Sequence, residues 1–180
     1  GGLVVGSNDL LDRIRVLRNN GLSRAAHQRD VLGRYDVATV GFKYTLPDVL
    51  AAIGRAQLQK LDGYLARRQA IAAQYSQILA DEPDLILPLE APGRVWWLYT
   101  IRFASTVSRD EVQRRLAEEG VGTSVLFPLV PHLSAYREWL RDEDIPVSIA
   151  VAGSILSLPL HPSLSDEDVR RAASTLKRVI

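Results

Sequence analysis

Hydrophobic positions divide the chain into stretches of different period. Residues 1–6 run Gly-Gly-Leu-Val-Val-Gly and read as a short buried strand between glycines. Leu10, Leu11, Ile14, Val16 and Leu17 then recur at helical spacing. Ser7 or Asn8 can cap that helix, and Asn19-Asn20-Gly21 stops it. Residues 21–45 keep no sustained period, and a loop of that length in a compact protein is often functional or partner-bound. Thr45-Leu46-Pro47-Asp48 has the composition of a helix start: a hydroxyl to accept from an orphan N–H, an acid three residues on, and a proline suited to the first turn. Leu50, Ile53, Leu61, Leu65, Ile71, Tyr75 and Leu79 follow, largely at steps of three and four, predicting one helix over 46–80. At 1.5 Å per residue it would be roughly 50 Å long, more than a small domain is wide. Such a helix bridges two domains, or a domain and a partner subunit, with Gly54 and Gly63 as bend or close-contact points.

Asp81-Glu82-Pro83 ends the helix, and the period shortens. Residues 85–89 and 95–103 read as strands, and 108–119 as a helix opened by Ser108-x-x-Glu111 and closed by Gly120. Residues 121–127 read as a strand, 135–141 as a short helix, 147–155 as helical and 156–160 as a strand. A terminal helix over 165–179 opens with a second box, Ser165-x-x-Asp168. The order ββαβααβα describes an α+β domain. Trp96 and Trp97, adjacent in a predicted strand, face opposite ways: one belongs to the core, the other lines an interface or a cleft.

Composition narrows the chemistry. A chain of 180 residues, 47% hydrophobic and 24% charged, has the make-up of a folded globular protein of one to one and a half domains. No apolar run approaches the roughly 20 residues needed to cross a bilayer. Zero cysteines exclude a disulfide scaffold, a thiolate metal site and a cysteine nucleophile, and suit a cytoplasmic protein. The net charge of +1 provides no general attraction for nucleic acid or membrane. Arginines 13, 15, 18, 24, 29 and 34 form a local basic stretch, suited to a phosphate or carboxylate or simply solvated, but it lacks the interleaved aromatics of a nucleic-acid surface. No metal site is expected, since His27, His132 and His161 are far apart and none has a ligand partner one helical turn away. Asp142, Glu143 and Asp144 read as a solvated turn. Lys43, just before a helix N-terminus, is either a solvated cation or an anion contact; spacing alone leaves both open.

Residues 41–75, from Gly-Phe-Lys-Tyr-Thr-Leu-Pro-Asp through Ala-Ala-Ile-Gly-Arg-Ala-Gln-Leu-Gln-Lys-Leu-Asp to Ala-Arg-Arg-Gln-Ala-Ile-Ala-Ala-Gln-Tyr, resemble the DegT/DnrJ/StrS sugar aminotransferases, which are fold-type I pyridoxal-phosphate enzymes. Gly1-Gly2-Leu3-Val4-Val5, Leu17-Arg18-Asn19-Asn20-Gly21, Gly120-Val121-Gly122-Thr123 and Leu156-Ser157-Leu158-Pro159-Leu160 extend the resemblance in the same order. It implies an α/β fold, the C-terminal part of a fold-type I transferase. Residues 1–45 would hold the last strand and helices of the large cofactor domain, 46–80 the long connecting helix, and 81–180 a small α+β domain. It also implies a homodimer with shared active sites, using pyridoxal 5'-phosphate to move an amino group from glutamate to a keto-sugar nucleotide, a 4-keto sugar being favoured.

The family's Schiff-base lysine lies upstream of the Gly-Gly pair, and none of Lys43, Lys60 and Lys177 matches it, so no catalytic residue is assigned and this chain alone is expected to be inactive. Lys43 matches the position that reaches the partner's cofactor phosphate. Ser23 and Arg24 match the loop near the cofactor and the sugar nucleotide. Thr123, Ser124 and Phe127 match a substrate strand, and His132 stands one step from a usual substrate histidine. Leu126 occupies a position where many relatives carry His. The alternative is a non-catalytic sugar-nucleotide sensor or dimerisation module of the same family.

Overall fold

A computed structural model describes residues 6–22, 36–104, 106–138 and 141–180. The predicted strand at residues 1–6 therefore lies almost wholly outside the described residues, as do Ser23 and Arg24. The chain divides into two units, residues 1–59 and 60–180.

In the first unit, α1 (Asn8–Leu17) begins where the Ser7 hydroxyl accepts the Leu10 N–H at 3.3 Å. It ends where Asn20 and Gly21 turn left-handed, with φ of 60° and 74°. The second helix, α2 (Asp48–Leu58), starts later than the composition suggests. Pro47 is extended and occupies the N-cap, so the Thr45 hydroxyl is two residues too early to cap, and no side chain caps this end.

The helical pattern predicted over 46–80 is carried by two helices: α3 (Leu61–Leu79) follows α2 after Gln59 and Lys60. The interruption falls at neither predicted glycine; a β-carbon at Gly54 or Gly63 would meet nothing within 4 Å. Ile71, Tyr75 and Leu79, at four-residue steps on α3, are fully buried in the second unit.

That unit is built on a three-stranded antiparallel sheet in the order β1 (Leu85–Ile86), β2 (Tyr99–Phe103), β3 (Ile155–Leu158). Tyr99 pairs with Leu158 and Leu85 with Phe103. Alternation on β2 buries Tyr99, Ile101 and Phe103. They share one core with α3, α4 (Arg109–Glu118) and α6 (Asp166–Val179), whose Leu116, Val169 and Leu176 are fully buried. The 147–155 pattern resolves into α5 (Pro146–Ala152) and the start of β3.

Three predicted strands are shortened, each for a visible reason. β1 ends ahead of Pro88, which has no N–H for a ladder. The 95–98 stretch stays outside β2, and a guanidinium takes carbonyls there: Arg68 Nη1 donates to the carbonyls of Trp96 (3.3 Å) and Trp97 (3.0 Å), and to Leu160 (3.0 Å). The 121–127 stretch makes one bridge, Ser124 to Ser157, before Pro128. Of the short helix predicted over 135–141, residues 135–138 form turns instead, and residues 139 and 140 lie outside the described residues.

Of the two predicted capping boxes one forms. Ser165 and Asp168 exchange hydrogen bonds, both 3.1 Å, at the start of α6, and the Ser165 bonds hold the Asp168 carboxyl below its usual pKa. At α4, Ser108 makes no side-chain cap, and the Glu111 carboxylate, the other half of the box, is taken by Arg114 at 2.6 and 3.0 Å.

Candidate functional site

Two clusters hold the described candidates, one in each unit. In the first unit, the chain returns after residue 36 to run against the end of α1. The Phe42 N–H donates to Leu17 O (2.7 Å), Asn20 N–H to Phe42 O (2.9 Å) and Tyr44 N–H to Arg18 O (2.8 Å). Ala38 N–H donates to Gly21 O at 2.9 Å. Phe42 and Tyr44, two apart on extended backbone, lie on one face with rings stacked at 5.2 Å and 6°. Lys43 between them is exposed and forms an antiparallel bridge with Asn19. Among the described residues no carboxylate pairs with its ammonium.

The other lysines are placed differently. Lys177 Nζ is paired with Glu82 at 2.7 Å and reaches the Ile78 carbonyl, while Lys60 is the N-cap residue of α3.

The second cluster gathers at the ends of β2 and β3. Trp96 enters the core, 2% exposed, beside Tyr99 at 5.5 Å and under the Arg94 guanidinium at 3.9 Å. Trp97 turns the other way and stacks on Phe127, with ring centroids 6.0 Å apart. Further along, His132 Nε2 meets Asp142 Oδ1 at 2.8 Å across an open cleft of about 460 Å³, lined also by Pro131, Arg137 and Arg141. Asp142, read from sequence as part of a solvated turn, is thus the group that orients His132. Arg68 carried no signal in the sequence: helical spacing marks it only as polar, and its three carbonyl partners lie 28, 29 and 92 residues away.

Among the described residues no group of three or more His, Asp or Glu converges as a metal site would require. No described helix is long and apolar enough to cross a membrane.

A model of the DegT/DnrJ/EryC1/StrS aminotransferase family matches residues 1–177. The chain belongs to this family. Among solved structures it is similar to S. venezuelae DesV in complex with a ketimine intermediate, at 30% identity and a TM-score of 0.82, covering 97% of this chain and 45% of DesV. The aminotransferase TlmJ from Streptoalloteichus hindustanus aligns at 29% identity and a TM-score of 0.78, covering 94% of this chain and 44% of TlmJ. Spr1654 from Streptococcus pneumoniae, solved in PMP and PLP forms, aligns in its PMP-form at 27% identity and a TM-score of 0.84, covering 99% of this chain and 47% of its own. The family member therefore spans less than half the length of these structures, as a partial α/β aminotransferase fold.

Proposed function

We propose that this chain contributes to a pyridoxal-phosphate-dependent aminotransferase that moves an amino group from glutamate to a keto-sugar nucleotide, a 4-keto sugar being favoured. The observation that carries this reading is the family match over residues 1–177, joined to an exposed cation, Lys43, that has no ion pair among the described residues and is held on a hydrogen-bonded segment. In this reading residues 1–45 close the cofactor domain, 46–80 connect, and 81–180 form the small domain, with α3 contributing Ile71 and Tyr75 to its core. The protein works as a cytoplasmic homodimer with shared active sites.

Pyridoxal phosphate, when bound, supplies the electron sink that lets an amino group leave one carbon and join another. The roles of this chain are to bind and to orient. Lys43 holds the cofactor phosphate of the partner subunit by charge. Ser23, Arg24, Phe127 and His132 contact the sugar nucleotide. Because Asp142 accepts the Nε2 proton of His132, Nδ1 is left as an acceptor for a substrate hydroxyl. In this reading the amine that bonds the cofactor lies upstream of these residues, because none of Lys43, Lys60 and Lys177 stands at the position the family resemblance gives the Schiff-base lysine.

The test uses the full gene product containing this chain. With pyridoxal phosphate it should absorb in the visible, and glutamate should bleach that band while releasing one 2-oxoglutarate per site. Lys43→Ala should weaken cofactor retention about tenfold or more, as expected for loss of a charge-assisted hydrogen bond. A protein that stays colourless and releases no 2-oxoglutarate is instead the non-catalytic sensor or dimerisation module.

A further inference from the structure

Trp97 is 62% exposed, although it follows a tryptophan that is 2% exposed. Phe127, against which it stacks, is 60% exposed, and the rings are inclined by 29°. Two large aromatic side chains left in water beside each other make a surface that a ring can lie on.

Their backbones are held by separate means. The Trp97 carbonyl is held at 3.0 Å by Arg68, whose guanidinium also takes the carbonyls of Trp96 and Leu160. The Trp96 ring anchors the same segment in the core. On the other side, Ser124 exchanges both backbone hydrogen bonds with Ser157 of β3, at 2.8 and 3.1 Å, three residues before Phe127. Ser157 is in turn paired with Thr100 of β2 through backbone and hydroxyl. The platform is thus built from two segments fixed to the same pair of strands, so little ordering is left for a ligand to impose.

We propose that Trp97 and Phe127 form a stacking platform for a flat ring of the sugar nucleotide, with Trp97 as a binding residue. The ligand's identity rests on the aminotransferase reading; the platform does not. The shared chemistry is a ring face laid on an aromatic face, which a nucleobase offers through its π surface and a sugar through its C–H face. Leu126, next to Phe127, has no side-chain hydrogen-bonding group, so recognition at this point depends on stacked area.

The experiment compares wild type, Trp97→Ala and Trp97→Phe in the full gene product loaded with pyridoxal phosphate. Each is titrated calorimetrically with UDP, thymidine diphosphate and glucose 1-phosphate, and each is assayed for the glutamate half-reaction and for oligomeric state. Trp97→Ala should weaken the ring probe that binds by between about 5-fold and 150-fold, the range for loss of one stacked base. Trp97→Phe should keep binding within about threefold, because a ring face remains. The oligomeric state should be unchanged in both.

Weakening confined to the diphosphates identifies the base as the stacked ring; weakening confined to glucose 1-phosphate identifies the sugar. The proposal is overturned if no probe binds the wild type, if Trp97→Ala binds within about twofold of it, or if the variant's loss follows a change in assembly. Trp97-dependent binding by a protein that does not react with glutamate would keep the platform and remove the aminotransferase reading.

Discussion

At Gly41 the chain passes so close to the end of α1 that a β-carbon would lie 2.2 Å from the Gly21 nitrogen and 2.7 Å from the Leu17 oxygen. Backbone atoms cannot give way as a flexible side chain can, so only glycine fits the contact. The same approach lines up the hydrogen bonds of Phe42 and Tyr44 that hold Lys43 between them. Gly41→Ala is expected to destabilise this segment by about 1–3 kcal/mol. Amide exchange should accelerate at Phe42 and Tyr44, and cofactor retention should fall as in Lys43→Ala, while exchange in α6 stays slow. Unchanged protection at both amides would contradict the contact. Alternation separates Trp96 from Trp97 as a pair, but it is the ring of Tyr99 and the guanidinium of Arg94, both packed on Trp96, that make Trp96 the buried one.

Among the elements, α6 was the most legible, because its Ser165–Asp168 box and its apolar stripe are both local. The strands were less so, since a strand ends where its partner's ladder ends, and that partner is far away in sequence. The contact of α3 with β2 has a consequence for pH. Tyr75 and Tyr99 are fully buried with rings 5.1 Å apart, and burial pushes both hydroxyl pKa values up from the ordinary 10.0. Tyr75 donates to the Pro159 carbonyl at 3.0 Å, and the Tyr99 hydroxyl is bonded to Ser76 at 2.9 Å. Below the unfolded tyrosine pKa both states are protonated, and the stabilising contribution is fully present. Above about pH 10 the unfolded chain loses these protons while the folded one keeps them, so stability falls as pH rises. Denaturant midpoints should hold from pH 7 to 9 and decline beyond 10. Tyr75→Phe should lower the unfolding free energy at pH 8 by about 1 kcal/mol for the lost hydrogen bond, bring the midpoint down accordingly, and flatten the alkaline decline.

On the scale of the whole molecule, the two units differ in where their apolar side chains lie. In residues 60–180 the apolar side chains of α3, β2, β3 and α6 close one core. In the first unit neither α1 nor α2 buries a residue, and Leu46, Val49, Leu50, Ile53 and Leu58 are exposed. Apolar surface of that extent is a mark of association, in keeping with the proposed homodimer. Ile53→Glu in the full gene product should therefore shift sedimentation toward monomer, as a charge cannot be buried there without a partner. The second unit should keep its own melting transition. An unchanged sedimentation coefficient would argue that Ile53 faces solvent in the assembly.

What the chain's own order of residues determines is local or inherited: helix periods, the α6 capping box, the helix stops at Gly21 and Gly120, and motifs that mark the family. These depend on neighbours within a turn or two, so they can be read without a fold. Tertiary structure decided what depends on distant partners. The strands were cut to the reach of their ladders, and Asp142 was brought to His132 across ten positions. It also left Trp97 and Phe127 face to face in water. The strand ends and the Trp97–Phe127 pair follow from hydrogen bonds and packing between residues tens of positions apart, whose pairing no local period encodes.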